Sequence, residues 1–286
     1  MLVRLQMLAR LLLVGALCCC LLPTPCLSLA PYSVIGPGRI GSLLASLAPS
    51  APLLGRGADL SSLPPGPIYL ATRNAALPAV LSAVPAARRA DLVFLQNGHL
   101  APYLSSQSLS GNTQALLYLA VPSLSAAPVD GVTAASPEGL TAATGVHAGH
   151  LRELLALAGM RCRVLRAAEY ERAMFEKLMW ISALMLVGTA KGCASVGAAQ
   201  REHGGLLDEL LREMCEAVEE AEGVELGSRP ELLARLRAYT DKVAGFPCAV
   251  KEYEWRNEYF SRRGCPVHQR LLGDCVRRGE FAFPVV

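Results

Sequence analysis

Aromatic side chains are scarce in this chain, 6% of its residues with only two tryptophans, and lysine and arginine nowhere gather into a long run. A surface that follows nucleic acid needs a basic stripe for phosphates and rings for bases, so that class is set aside. No cysteine or histidine spacing matches a zinc pattern. His99, His147, His150, His203 and His268 are scattered without a ligand partner at helix spacing, and His147 with His150 reads as a solvated helix start, so no metal site is expected. A dense disulfide framework is missing as well. Four of the ten cysteines lie in the first 30 residues, and the other six, Cys162, Cys193, Cys215, Cys248, Cys265 and Cys275, suit buried small hydrophobes in a reducing compartment. No internal repeat is present.

Residues 1–30 also contain no acidic residue. Arg4 and Arg10 precede an apolar run from Leu11 to Leu22, and Leu27-Ser28-Leu29-Ala30 offers small residues for cleavage, so the segment reads as a targeting sequence. An organelle, the secretory route and an uncleaved anchor all fit it, with a cytoplasmic location as the alternative. The run is short for a membrane span, and no stable span is expected after processing. Removing Arg4 and Arg10 lowers the formal net charge from +3 to +1, which leaves a small anionic ligand as a reasonable partner.

What the chain does have is glycine in a particular order. Tyr32 to Ile35 is a short apolar run leading into Gly36-Pro37-Gly38-Arg39-Ile40-Gly41, a GxGxxG spacing, and a helical pattern follows at Leu43, Leu44 and Leu47. In a strand-turn-helix unit the first glycine lets the chain turn, the second lets backbone approach a pyrophosphate, and the third lets helix and strand pack closely. A second strand-like pair, Leu53-Leu54, ends just before Arg56, twenty positions after Gly36. An NAD-selective site is expected to carry Asp or Glu there, whereas an arginine can pair with the 2′-phosphate of NADP. A solvated loop arginine is the plainer alternative.

Strand-like runs recur at Ile68 to Thr72, followed by Arg73, and at Asp91 to Leu95, followed by Gln96-Asn97-Gly98, with a helical stretch from Ala75 to Val84 between them. Two more runs follow at Ala115 to Val121 and Val129 to Ala135. The alternation predicts a parallel sheet with ligands at the carboxyl ends of its strands, where Arg56, Arg73 and Asn97 fall. From about Gly145 the pattern turns helical, at Val146 to Ala158, Ala167 to Ala190, Leu206 to Glu222 and Pro230 to Lys242. The expected organisation is a targeting segment (1–30), an α/β dinucleotide-binding domain (31–144) and an all-α domain (145–286).

The glycine turn, VFLQNG at Val93 to Gly98, EKLMW at Glu176 to Trp180 and KEYEWRN at Lys251 to Asn257 come in an order that resembles ketopantoate reductases and their relatives. The resemblance covers nearly the whole chain after the targeting segment. It implies an NADPH-binding Rossmann domain, a helical domain similar to the carboxyl half of 6-phosphogluconate dehydrogenases, and reduction of a 2-oxo acid in the cleft between them. Hydride arriving at a carbonyl carbon leaves charge on the oxygen, which a positioned cation or acid must stabilise or protonate. Lys177 is implied in that catalytic role and Glu252 in catalysis and substrate binding, with Asn97 and Asn257 facing the ligands and Gly98 beside the cofactor. On residue pattern alone Lys177 is also a lysine snorkelling from an apolar helix, Glu252 a carboxylate on a charged face, Asn97-Gly98 an ordinary turn, and Asn257 a turn cap.

The departures are specific. Ile181 and Met185 stand where the family has asparagines four and eight positions after the lysine, Pro247 and Cys248 replace a serine region, and Glu258 replaces a glycine. Only eleven residues separate Arg56 from Ile68, where the family inserts another strand and helix, so the sheet is expected to be trimmed. A more apolar oxo substrate follows, and a homodimer through the helical domain is allowed. The alternative is a homologue that binds NADP without turnover and acts as a binding or regulatory protein.

Overall fold

The first strands of the chain are short and mostly apolar, and the fold explains why. The computed structural model describes residues 29–121, 123 and 127–283; the expected targeting segment lies outside the described residues but for its last two positions. Strands β1 (Ser33–Ile35), β2 (Leu53–Leu54), β3 (Ile68–Leu70), β4 (Leu92–Phe94) and β5 (Thr113–Leu116) pair in parallel in the order β2-β1-β3-β4-β5. β1, β3 and β4 are buried at every residue, as strands covered on both faces must be. Ile35 lies level with Leu54 and Leu70, and Leu70 with Phe94, so these strands end flush. That register brings Gly36, Ala71 to Arg73 and Leu95 to Asn97 to one edge.

Helix α1 (Arg39–Ser46) follows the glycine turn, and α2 (Leu77–Ala83) and α3 (Ala101–Ser106) follow β3 and β4. One face of the sheet is sealed by Leu77, Leu81, Leu100 and Leu104. Leu60 and Leu63, from the loop between β2 and β3, pack on the same core and occupy the place of a crossover helix. On the other face the Tyr69 hydroxyl meets His150 Nδ1 at 2.7 Å, and the Tyr32 hydroxyl donates to the Leu44 carbonyl at 2.7 Å. His150 therefore belongs to the packing and not to a solvated helix start.

Parallel pairing does not hold throughout. After β5 the chain forms a separate antiparallel ribbon, β6 (Leu119–Ala120) with β7 (Val129–Asp130), and returns as β8 (Ala142–Thr144) antiparallel to β5. Among the described residues no helix crosses between β5 and β8, and the returning strand runs the other way. Helix α4 (Ala148–Ala156) then leads to β9 (Arg163–Val164), parallel to β8. The sheet thus continues past the boundary expected at 145, and the run of helices begins at Ala167.

Helix α5 (Ala167–Lys191) is apolar on nearly all sides and is the centre of the second half. It is long and apolar enough to cross a membrane, but 83% of its most apolar window is buried inside the fold. Around it lie α6 (Val196–Glu222), α7 (Arg229–Lys242), α8 (Asn257–Ser261) and α9 (Pro266–Arg277). Helix α6 begins ten residues before the expected Leu206, where Ser195 caps it by accepting from Ala198 N–H at 3.3 Å. Tyr239 packs edgewise and Trp180 at a tilt on Tyr118 from the segment after β5, and the Trp180 indole donates to Thr240 Oγ1 at 2.9 Å. All six cysteines after the targeting segment are free thiols, four of them buried.

Candidate functional site

The three glycines of the turn do three different things. Gly36 has φ +112°, and a Cβ on it would come within 2.7 Å of the Ala71 carbonyl oxygen. A Cβ on Gly41 would collide with the Gly36 carbonyl, so only glycine lets α1 cross β1 this closely. Around Gly38 nothing lies within 4 Å. Gly38 is the N-cap of α1, with no capping side chain and no acidic residue in the first turn, so the free N–H groups and positive dipole end of the helix face open space.

Beside this turn a groove of about 570 Å³ runs along the carboxyl edge of the sheet. Gly36, Pro37, Arg56, Thr72 and Arg73 line it. Arg56 and Arg73 are exposed, and neither guanidinium has a hydrogen bond or ion pair among the described residues. Thr72 Oγ1 is buried there without a partner. An uncapped helix start, two unpaired guanidinium groups and an orphan hydroxyl around one groove suit a nucleotide with several phosphates. Arg39 points elsewhere, donating to the Val121 carbonyl at 3.0 Å, while Ile40 and Gly41 are part of α1.

A second group of residues meets the same edge from the helical side. Lys177, on α5, is 5% exposed and donates from Nζ to the carbonyl of Leu117, the residue after β5. Its ammonium also lies 4.7 Å from the centre of the Tyr118 ring. Burial, helped by the charge of Arg256, lowers its pKa from the ordinary lysine value to about 7. Glu252 sits in the left-handed region at φ +49°, a conformation that costs a non-glycine residue about 1–3 kcal/mol and tends to mark functional segments. Its carboxylate accepts from Asn74 N–H at 3.1 Å and from the Arg256 guanidinium. Asn74 in turn donates from Nδ2 to the Asn97 carbonyl at 3.1 Å, and His99 N–H donates to the Trp255 carbonyl at 2.8 Å. Gly98 is needed here because a side chain on it would run into Trp255.

Lys177, Glu252, Asn97 and the glycine turn are therefore gathered at one end of the sheet, with Arg73 and Asn74 joining the groove to the Glu252 cluster. Neither Lys177 nor Glu252 lines the groove itself. Asn257 is not part of the group. It is 1% exposed, and its Oδ1 accepts from His268 Nε2 at 3.0 Å, which ties α8 to α9. Burial lowers the His268 pKa to about 4. Between pH 6.5 and 4 the unfolded chain binds this proton and the native one does not, so stability should fall through that window by up to about 3 kcal/mol. Denaturant melts of the wild type against His268→Gln check this, since the variant's stability should be flatter over the same range.

Arg256 is the residue that sequence reading passed over. It is 9% exposed, and its Nε is buried without a partner. Its spacing four after Glu252 was a visible signal for the pair, but nothing in the spacing placed its charge near Lys177. A further cavity of about 390 Å³ adjoins the turn, between Arg39, Val129, Lys242, Phe246 and Pro247.

No protein-family model matches the chain, and no curated protein sequence does. Solved structures do resemble it. A dimeric ketopantoate reductase from Staphylococcus aureus superposes with a TM-score of 0.61 at 17% identity, over 87% of this chain and 100% of that one. A ketopantoate reductase from Ralstonia eutropha gives 0.60 at 17%, over 87% and 99%. D-mandelate dehydrogenase in complex with NADH gives 0.61 at 14%, over 87% and 98%. The chain has the fold of these enzymes, a mostly parallel Rossmann-like sheet followed by a helical region.

Proposed function

We propose that this protein is an NADPH-dependent reductase that delivers hydride to the carbonyl carbon of a 2-oxo acid or a related oxo compound with an apolar substituent. The observation that carries the reading is the buried amine of Lys177, its proton loosened to a pKa of about 7, held where β5 ends, on the same sheet edge as an open glycine turn. The turn and α1 hold the phosphates, Arg56 and Arg73 hold the nucleotide end, and NADPH when bound supplies the hydride. Lys177 gives its proton to the carbonyl oxygen as charge develops there, and the Leu117 carbonyl keeps the amine aimed. Arg256 makes Lys177 a stronger acid, and Glu252 holds Arg256 in place. That the solved neighbours include ketopantoate reductases and an NADH-bound dehydrogenase, one of them dimeric, supports both the chemistry and a homodimer as the assembly.

The substrate follows from what α5 lacks. Ile181 and Met185 share the helix face of Lys177, and a hydroxyl-rich substrate would leave groups unpaired against them at about 1–3 kcal/mol each. The cavity at Val129, Phe246 and Pro247, with the cations Arg39 and Lys242 at its wall, suits a carboxylate with an apolar tail. A second reading, binding without turnover, is favoured by one observation: both Lys177 Nζ and the Glu252 carboxylate are already bonded to protein groups.

The test is to mix purified protein with NADPH or NADH and a panel of 2-oxo acids, from ketopantoate to those with bulky apolar tails, while following the absorbance of the reduced nicotinamide. Consumption is expected with NADPH and the apolar acids. Arg56→Ala should remove the preference for NADPH, worth about tenfold for one charge-assisted pair. Tight dinucleotide binding with no consumption across the panel would select the second reading, and no binding would reject both.

A further inference from the structure

Away from this site, Cys193, Glu202 and His203 bring a thiol sulfur, a carboxylate oxygen and an imidazole nitrogen within 4.8 Å of one another. From these residues we infer a divalent transition-metal site, for zinc or an ion of similar ligand preference, at the corner where α5 turns into α6. The inference is independent of the reductase reading.

The local backbone is shaped to assemble this set. Helix α5 ends at Gly192 in the left-handed conformation, φ +70°, and Cys193 N–H closes back on the Gly188 carbonyl at 2.8 Å, which fixes the cysteine against the start of α6. Glu202 and His203 are neighbours in sequence. On a regular helix consecutive side chains point about 100° apart and cannot converge on one partner. Helix α6 is not regular there: His203 has φ −130° and ψ +29°, a break inside an otherwise continuous 27-residue helix, followed by Gly204 and Gly205. The break falls at the one residue whose imidazole has to reach the sulfur beside Glu202.

The donor set decides the ion. Thiolate and imidazole with one carboxylate suit zinc, with a fourth position left for water, whereas magnesium and calcium prefer oxygen alone. Cys193 and His203 are half-buried and Glu202 is exposed, which leaves a route from solvent. The corner also supports the loop of the Phe246 cavity: Val196 N–H donates to the Phe246 carbonyl at 2.8 Å and Gly197 N–H to the Ala244 carbonyl at 3.0 Å. The metal would hold the base of that loop.

The full chain, stripped with chelator and kept reduced, is titrated with Zn²⁺ by calorimetry and with Co²⁺ by absorbance. One equivalent is expected to bind, with a thiolate-to-cobalt charge-transfer band and the d–d intensity of a tetrahedral ion. Cys193→Ser should abolish the charge-transfer band, and His203→Ala should weaken Zn²⁺ by at least about tenfold, the scale on which even outer-sphere changes act. Thermal melts without metal should leave both variants folded like the wild type, which separates lost ligation from lost structure. A wild type with no thiolate band, or Zn²⁺ affinities equal in wild type and both variants, would overturn the assignment. So would a band that survives Cys193→Ser and disappears with Cys248→Ser, the other thiol near this corner.

Discussion

Replacing Lys177 by methionine should lower kcat by about 10²–10⁴-fold, the usual worth of a positioned general acid, while leaving NADPH affinity unchanged. The ammonium at the carboxyl end of β5 has a pKa near neutrality, so the wild-type rate should be flat below pH 7 and fall about tenfold per unit above it. Arg256 contributes to that position, because its charge, after burial, is what pushes the lysine down. The same shift has a stability side. The native pKa is depressed, so between about pH 7 and 10.5 the unfolded chain holds a proton that the native chain has lost. Native stability therefore climbs with pH across that window, and the penalty is fully present below pH 7. Lys177→Met removes it, and at neutral pH the variant should be more stable by as much as a few kcal/mol, less what the Leu117 hydrogen bond and the Tyr118 contact contribute. Steady-state kinetics with NADPH titrations and denaturant melts read both sides. Equal losses of rate and cofactor affinity would remove Lys177 from the chemistry.

The glycine turn should divide in two under mutation. Gly41→Ala places a methyl group on the Gly36 carbonyl and against the Ala71 Cβ, with no flexible side chain to yield, so a loss of at least about 3 kcal/mol is expected. For a chain of this size each kcal/mol moves Tm by roughly 2–4 °C. Gly38→Ala meets open space, and its φ of −80° suits alanine, so Tm should stay where it is. The methyl group would instead occupy the approach to the α1 N-terminus, and NADPH affinity should drop by about tenfold or more, the cost of losing one or two charge-assisted contacts. Calorimetric melting beside fluorescence titration separates the two outcomes. A Gly38→Ala protein that binds NADPH as the wild type does would mean that the phosphates lie elsewhere.

Much of this was legible in the chain itself. Short apolar runs leading toward Gly36, Arg73 and Asn97 marked strands of a parallel sheet, and the GxGxxG spacing placed a tight turn between the first of them and a helix. The eleven residues between Arg56 and Ile68 left no room for a further strand and helix, and β2 does edge the sheet. Those features depend on neighbours in sequence. The antiparallel return at β8 and the two-residue β9 do not, since each is set by a strand partner far along the chain. Asn257 illustrates the difference: its motif matched, but His268, eleven residues on, takes its oxygen.

Local order along the chain by itself determined the class of fold, the glycine turn and the residues set at the sheet's carboxyl edge, because periodicity and backbone freedom are properties of short segments. Only the tertiary structure decided that Lys177 is buried on the Leu117 carbonyl with a loosened proton, that Glu252 is bound to Arg256 and Asn74, and that Cys193 faces Glu202 and His203. Charge, burial and ligand geometry arise between segments that folding brings together, and the energy of a side chain is fixed by what surrounds it.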